Sequence, residues 1–161
     1  MRILTAVLSA GLAFTIACRP APEPIPPPAA HTGNSIPAGL PATTMTGEAA
    51  WAAQRAGVLF VDARPYADYA QGHIPGALHV PLRERDYEDR WWDFLANPRV
   101  KPEQPMVVYC SGCCSTDSLF LALRLQETGF TRVQVYKDGF PGWLRADRPQ
   151  VRGNFPNGEV K

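Results

Sequence analysis

The sequence predicts an α/β fold with a mostly parallel central sheet and helices on both faces. Two observations predict it. Short apolar runs of the buried-strand type recur as VLFVDA (58–63), MVVYC (106–110) and RVQVY (132–136), with a weaker run at ALHVP (77–81). Between them lie segments patterned at helical spacing, and strands alternating with helices at this interval give crossover connections and hence parallel pairing. With 161 residues, 45% of them hydrophobic, the chain has the size of one domain with its own core.

Each element has a local reason. MTGEAAWAAQRAG (45–57) combines good helix formers with Thr46 as a start signal and Gly57 as a stop. RDYEDRWWDFLANP (85–98) mixes charge and aromatics at helical spacing and ends at Pro98. STDSLFLALRLQETG (115–129) ends at Gly129. In the second of these helices Trp91 and Trp92 are about 100° apart, so one is expected on the sheet and the other nearer the surface.

Residues outside 44–150 read differently. Arg2 followed by the apolar run 3–17 is too short to span a bilayer, which needs roughly 20 residues, and has the form of an export signal over residues 1–17. Its end, FTIAC (14–18), resembles a bacterial lipobox with Ala17 before the cut and Cys18 as the lipidated residue, although Thr15 stands where Leu is usual; a plain cleaved signal is the alternative. The linker 18–43 carries six prolines between residues 20 and 28, which forbids helix and interior strand and makes an extended tether. Residues 151–161 read as a loop-forming tail.

Charge narrows the partners. Loss of Arg2 with the leader leaves 15 basic and 15 acidic residues, and no basic run interleaved with aromatics suggests nucleic acid. Membrane attachment therefore rests on lipid alone, with the domain in a bacterial cell envelope and facing the periplasm. With Cys18 blocked as a thioether, an odd number of thiols remains, so at least one stays unpaired in an oxidising space.

The chemistry concentrates in Cys110-Ser111-Gly112-Cys113-Cys114-Ser115-Thr116, a loop between an apolar strand and a helix. In a parallel sheet, ligand sites lie beyond the carboxyl ends of strands, where Cys110 falls. A thiol there is expected to face backbone N–H groups and the positive end of the following helix, both of which favour thiolate and lower the pKa below about 8.5. Gly112 allows a tight curl, and Ser111, Ser115, Thr116 and Ser118 offer hydroxyls or helix caps.

Two stretches then carry a resemblance. VLFVDARPYADYAQGHIPGALHVPL (58–82) resembles the first signature of the rhodanese (thiosulfate sulfurtransferase) superfamily, with Asp62-x-Arg64 at a strand end and Gly-His-Ile-Pro-Gly-Ala after a short helix. VVYC (107–110) with its loop and helix, followed by GFTRVQVYKDGFPGW (129–143), resembles the second half. The match covers about residues 44–148 and implies a rhodanese-like fold. It further implies that Cys110 attacks the outer sulfur of a sulfane donor, becomes a persulfide and passes the sulfur to a thiol or other nucleophile, with no cofactor. Asp62 and Arg64 are implied as supporting residues, either offering a positive charge near the pocket or forming a framework pair. His73 is implied as a structural histidine, and Trp143 as a packing residue.

The departures matter. Active thiosulfate-using members commonly carry Arg or Lys in the loop, whereas here the loop has none and Asp117 follows, which argues against a dianionic donor. Cys113 and Cys114 stand in place of the usual side chains. Cys110-Ser-Gly-Cys113 is a C-x-x-C at a strand-to-helix junction, so a thiol–disulfide function with Cys113 or Cys114 resolving is a second reading. A non-catalytic binding module is a third. A three-thiolate metal site is disfavoured, because adjacent Cys113 and Cys114 chelate one ion poorly and no spaced Cys/His partner exists.

Overall fold

The computed structural model describes residues 43–112 and 115–153. The export signal, Cys18, nearly all of the proline-rich linker, Cys113, Cys114 and the tail from residue 154 onward lie outside the described residues.

The described chain runs β1 (Thr43–Met45), α1 (Gly47–Arg55), β2 (Leu59–Asp62), α2 (Tyr66–Gln71), β3 (Leu78–His79), α3 (Tyr87–Ala96), β4 (Met106–Tyr109), α4 (Asp117–Glu127), β5 (Val133–Tyr136), α5 (Gly139–Arg145). The five strands form one sheet in the order β1-β5-β4-β2-β3, and every neighbouring pair is parallel. The apolar runs are thus crossover-connected strands, and β2 and β4, at the centre, are buried at every position.

Because side chains alternate along a strand, the two faces of the sheet build two cores. Leu59, Val61, Met106, Val108, Val133 and Val135 face α3 and α4, joined there by Trp91, Phe94 and Leu121. Phe60, Val107, Tyr109 and Tyr136 face the other way, onto Ala50, Phe140 and Trp143. Trp91 is fully buried, whereas Trp92 is 46% exposed, which resolves the aromatic pair as helical geometry requires. Trp143 lies edge-on to Trp51 and bonds the Pro149 carbonyl through its indole N–H at 2.7 Å.

Helix ends follow their sequence signals. Thr46 caps α1 by accepting the Ala49 N–H at 3.3 Å, and Gly57 follows in the left-handed region. The carboxyl-terminal segment is held further than its composition suggests: Val151 and His73 exchange two backbone bonds, and the Gly153 N–H reaches the Ala70 carbonyl.

Candidate functional site

Cys110 directly follows β4 and continues its alternation, so its side chain joins Met106 and Val108 on the α3/α4 face and lies buried against the start of α4. Its Sγ is 3.1 Å from the Ser118 hydroxyl, 3.6 Å from the Ser115 carbonyl and 3.7 Å from the Gly112 carbonyl. The N–H cradle expected of the loop falls in part on Cys113 and Cys114, which lie outside the described residues. Two of the loop's N–H groups are used internally: Ser115 donates to the Gly112 carbonyl and Asp117 to the Ser115 hydroxyl. Carbonyls only accept, so these two pair with an S–H; Ser118 is the described neighbour that can donate once the proton has left.

The other loop hydroxyls divide. Ser115 caps the first turn of α4 at 3.3 Å, Thr116 supplies its backbone carbonyl to Leu119 and Phe120 with no side-chain cap, and Ser111 is exposed. Gly112 takes φ +111, the curl expected of it. The sequence reading passed over Gly139, which begins α5 at φ +59 directly beneath this loop. A methyl built there would lie 2.5 Å from the Gly112 nitrogen and closer still to the Cys110 carbonyl. Its neighbour Phe140 donates its N–H to that same carbonyl at 3.0 Å.

Asp62 and Arg64 are brought to the same end of the sheet as Cys110 but onto its other face. Asp62 sits beside Tyr109 in register, and the Arg64 guanidinium lies over the Phe140 ring at 4.1 Å and the Tyr109 ring at 5.7 Å, both in the opposite core. Arg64 bonds Asp62 through Nε and through NH2 at 2.6 Å, and bonds the Gly72 carbonyl as well. Burial works to discharge this guanidinium, and the Asp62 bond and charge overcome it, so the Arg64 pKa rises. Among the described residues the pair is a framework clamp between β2 and the loop after α2.

That clamp continues into a stack in which the Tyr69 ring lies between His73, 3.8 Å away, and His79, 4.4 Å away. His73 Nδ1–H donates to the Tyr69 carbonyl at 3.0 Å and His79 Nε2–H to the Arg64 carbonyl at 2.8 Å, which fixes both tautomers. Burial lowers both pKa values, only partly offset by these carbonyl bonds, and among the described residues His79 Nδ1 has no acceptor for the N–H that a second proton would create. Native imidazoles that resist protonation make stability constant above the unfolded value of about 6.5 and lower below it, because the unfolded chain then binds more protons. Urea unfolding midpoints are therefore expected to be lower at pH 5.5 than at pH 7.5, and less so in a His73→Gln/His79→Gln variant; equal losses in both proteins would contradict this assignment.

A cation from another element reaches the start of α4. Arg83, between β3 and α3, bonds Asp117 in the first turn of α4 at 2.7 Å. Its side chain is 63% exposed and that of Asp117 9% exposed. Nothing local in the sequence marks this pair, whose members are 34 residues apart. No group of three or more metal-ligating side chains exists among the described residues.

Comparison with known proteins agrees with this architecture. The chain is 28% identical over 110 residues to the thiosulfate sulfurtransferase GlpE of Haemophilus influenzae, covering 68% of this chain and 95% of that one. It is 32% identical over 98 residues to an HTH-type transcriptional regulator of Mycobacterium tuberculosis, covering 60% of this chain but spanning only 38% of the regulator's length. The crystal structure of a thiosulfate sulfurtransferase from Pseudomonas aeruginosa superimposes with a TM-score of 0.55 at 25% identity, covering 69% of this chain and 20% of that one. The family model of the rhodanese-like domain matches residues 46–146, from the cap of α1 to the end of α5. Four of the five parallel strands, β2 to β5, the Asp62–Arg64 clamp and a cysteine at the mouth of β4 thus fall within one match, and the chain belongs to the rhodanese-like domain family.

Proposed function

We propose that this chain is an exported, lipid-anchored sulfurtransferase or sulfur carrier in which Cys110 is the nucleophile. The observation that carries the reading is the position of Cys110: a thiol at the carboxyl end of the central strand, 3.1 Å from the Ser118 hydroxyl, in a chain of the rhodanese-like family. The Cys110 thiolate attacks the outer sulfur of a sulfane donor. A new S–S bond forms, the donor's S–S bond breaks, and the electron pair leaves with the donor remnant. An acceptor thiolate or other nucleophile then attacks the outer sulfur of the Cys110 persulfide, and the electron pair returns to Sγ. Both enzyme states are anions, and a hydroxyl donor beside Sγ stabilises each.

Export and anchoring are read from residues 1–18 alone; among the described residues no helix is long and apolar enough to cross a membrane. Placement in the envelope would present Cys110 to donors outside the cytoplasm and keep the domain near the membrane through its tether.

The test is sulfur transfer to cyanide from thiosulfate and from an organic persulfide, read as thiocyanate. Cys110→Ser is expected to abolish turnover. Ser118→Ala is expected to lower it about tenfold, the cost of removing one hydrogen bond to a charged group. Cys113→Ser and Cys114→Ser are expected to retain transfer. Loss of activity on replacing Cys113, with a disulfide from Cys110 in the wild-type protein after donor treatment, would instead establish the thiol–disulfide reading.

A further inference from the structure

We propose that Arg83 is the donor-recognition residue of this site, selecting sulfur donors that carry an anionic sulfonate group such as thiosulfate. The inference rests on the sulfur-transfer reading of Cys110 and deepens it. Arg83 lies in the connection between β3 and α3, and α3 covers the same face of the sheet as Cys110. Its Nε donates to Asp117 Oδ1, and Asp117 directly precedes Ser118, whose hydroxyl touches Sγ. The guanidinium is therefore held at the first turn of α4, on the residue that precedes the one whose hydroxyl touches the sulfur.

Nε is its only bonded group among the described residues, and the side chain that carries the two terminal NH2 groups is 63% exposed. A planar guanidinium with an open edge matches two oxygens of a sulfonate. In this proposal the outer sulfur of thiosulfate meets Cys110 while its oxygens meet the guanidinium. Asp117 fixes the guanidinium in place, and Arg83 in turn cancels a carboxylate that would repel a dianion.

The loop's missing cation is thus supplied from another element, and thiosulfate becomes an expected donor. The chemistry balances: the Cys110 thiolate takes the outer sulfur of thiosulfate and sulfite leaves with the electron pair, or takes it from methanethiosulfonate and methanesulfinate leaves.

The experiment compares rates of Cys110 persulfide formation by the full chain with these two donors, one a dianion and the other a monoanion. Arg83→Gln is expected to lower the thiosulfate rate at least about fivefold more than the methanethiosulfonate rate, the scale of one exposed charge contact. Arg83→Lys is expected to recover part of the difference. The double variant Arg83→Gln/Asp117→Asn is expected to stay impaired toward thiosulfate. Recovery of the wild-type donor ratio in that double variant would overturn the proposal, since Arg83 would then act only by neutralising Asp117. An unchanged ratio in Arg83→Gln would overturn it too, whether both rates fall together or neither does. So would a wild-type protein that accepts sulfur from methanethiosulfonate and not from thiosulfate. A wild-type protein loaded by neither donor would remove the sulfur-transfer reading itself.

Discussion

Replacing Asp62 with Ala is expected to destabilise the domain by about 3–5 kcal/mol, the cost of leaving one partner of a buried ion pair uncompensated. Arg64 is 5% exposed and Asp62 fully buried, so no water takes the place of the lost carboxylate. Arg64 would keep the Gly72 carbonyl and its face on Phe140, but its charge would stand alone between a tyrosine and a phenylalanine. Against a total stability of about 5–15 kcal/mol, this is a large fraction of what holds the domain folded. The double variant Asp62→Ala/Arg64→Met removes both charges and is expected to regain most of the loss. Urea denaturation followed by circular dichroism measures both. A single variant within about 0.5 kcal/mol of wild type would show that the pair is not the clamp described here.

Gly139→Ala is expected to damage stability and chemistry together. Its φ of +59 is a strained conformation for alanine, and the added methyl would collide with the backbone of the Cys110 loop. The combined cost is about 1–3 kcal/mol, and a displacement of the loop by about 1 Å is expected to slow persulfide formation about a hundredfold. Gly57→Ala is the control, since φ there is +76 but nothing lies within 4 Å of an added methyl. It is expected to lose comparable stability through backbone strain and to keep its sulfur chemistry. Equal sulfur-loading rates in the two variants would separate Gly139 from the loop's geometry.

The elements legible in the sequence are those whose burial is two-sided. β2, β4 and β5 read as apolar runs because helices cover both faces, and α1, α3 and α4 carry their own periodicity and stop signals. β1 is not legible. Thr43–Met45 is a mostly exposed edge strand of two threonines and a methionine, and it exists because β5 offers it a parallel partner. α5 is hidden by Gly139, Pro141 and Gly142, all poor helix residues. Pro141 lies in the first turn, where N–H groups lack intrahelical partners in any case, and the fully buried Trp143 fixes the segment by packing.

The site shows the same division. Cys110 is legible from its position after a strand, and its face from the alternation that places Met106 and Val108 beneath it. The same alternation sends Asp62 and Arg64 to the other face, a consequence present in the sequence once the register of β2 against β4 is known. Ser118 and Arg83 depend on contacts across the fold, one from the first turn of α4 and one from a loop 34 residues away in sequence from its partner, Asp117. No local pattern announces either.

The central claim is that Cys110 carries sulfur. Its most direct test is the intact mass of the reduced chain after incubation with thiosulfate, followed by peptide mapping and by addition of cyanide. The account predicts a gain of one sulfur atom, located on Cys110 and removed by cyanide. A protein that gains no sulfur, or that instead loses two hydrogens to a disulfide between Cys110 and Cys113 or Cys114, would contradict it.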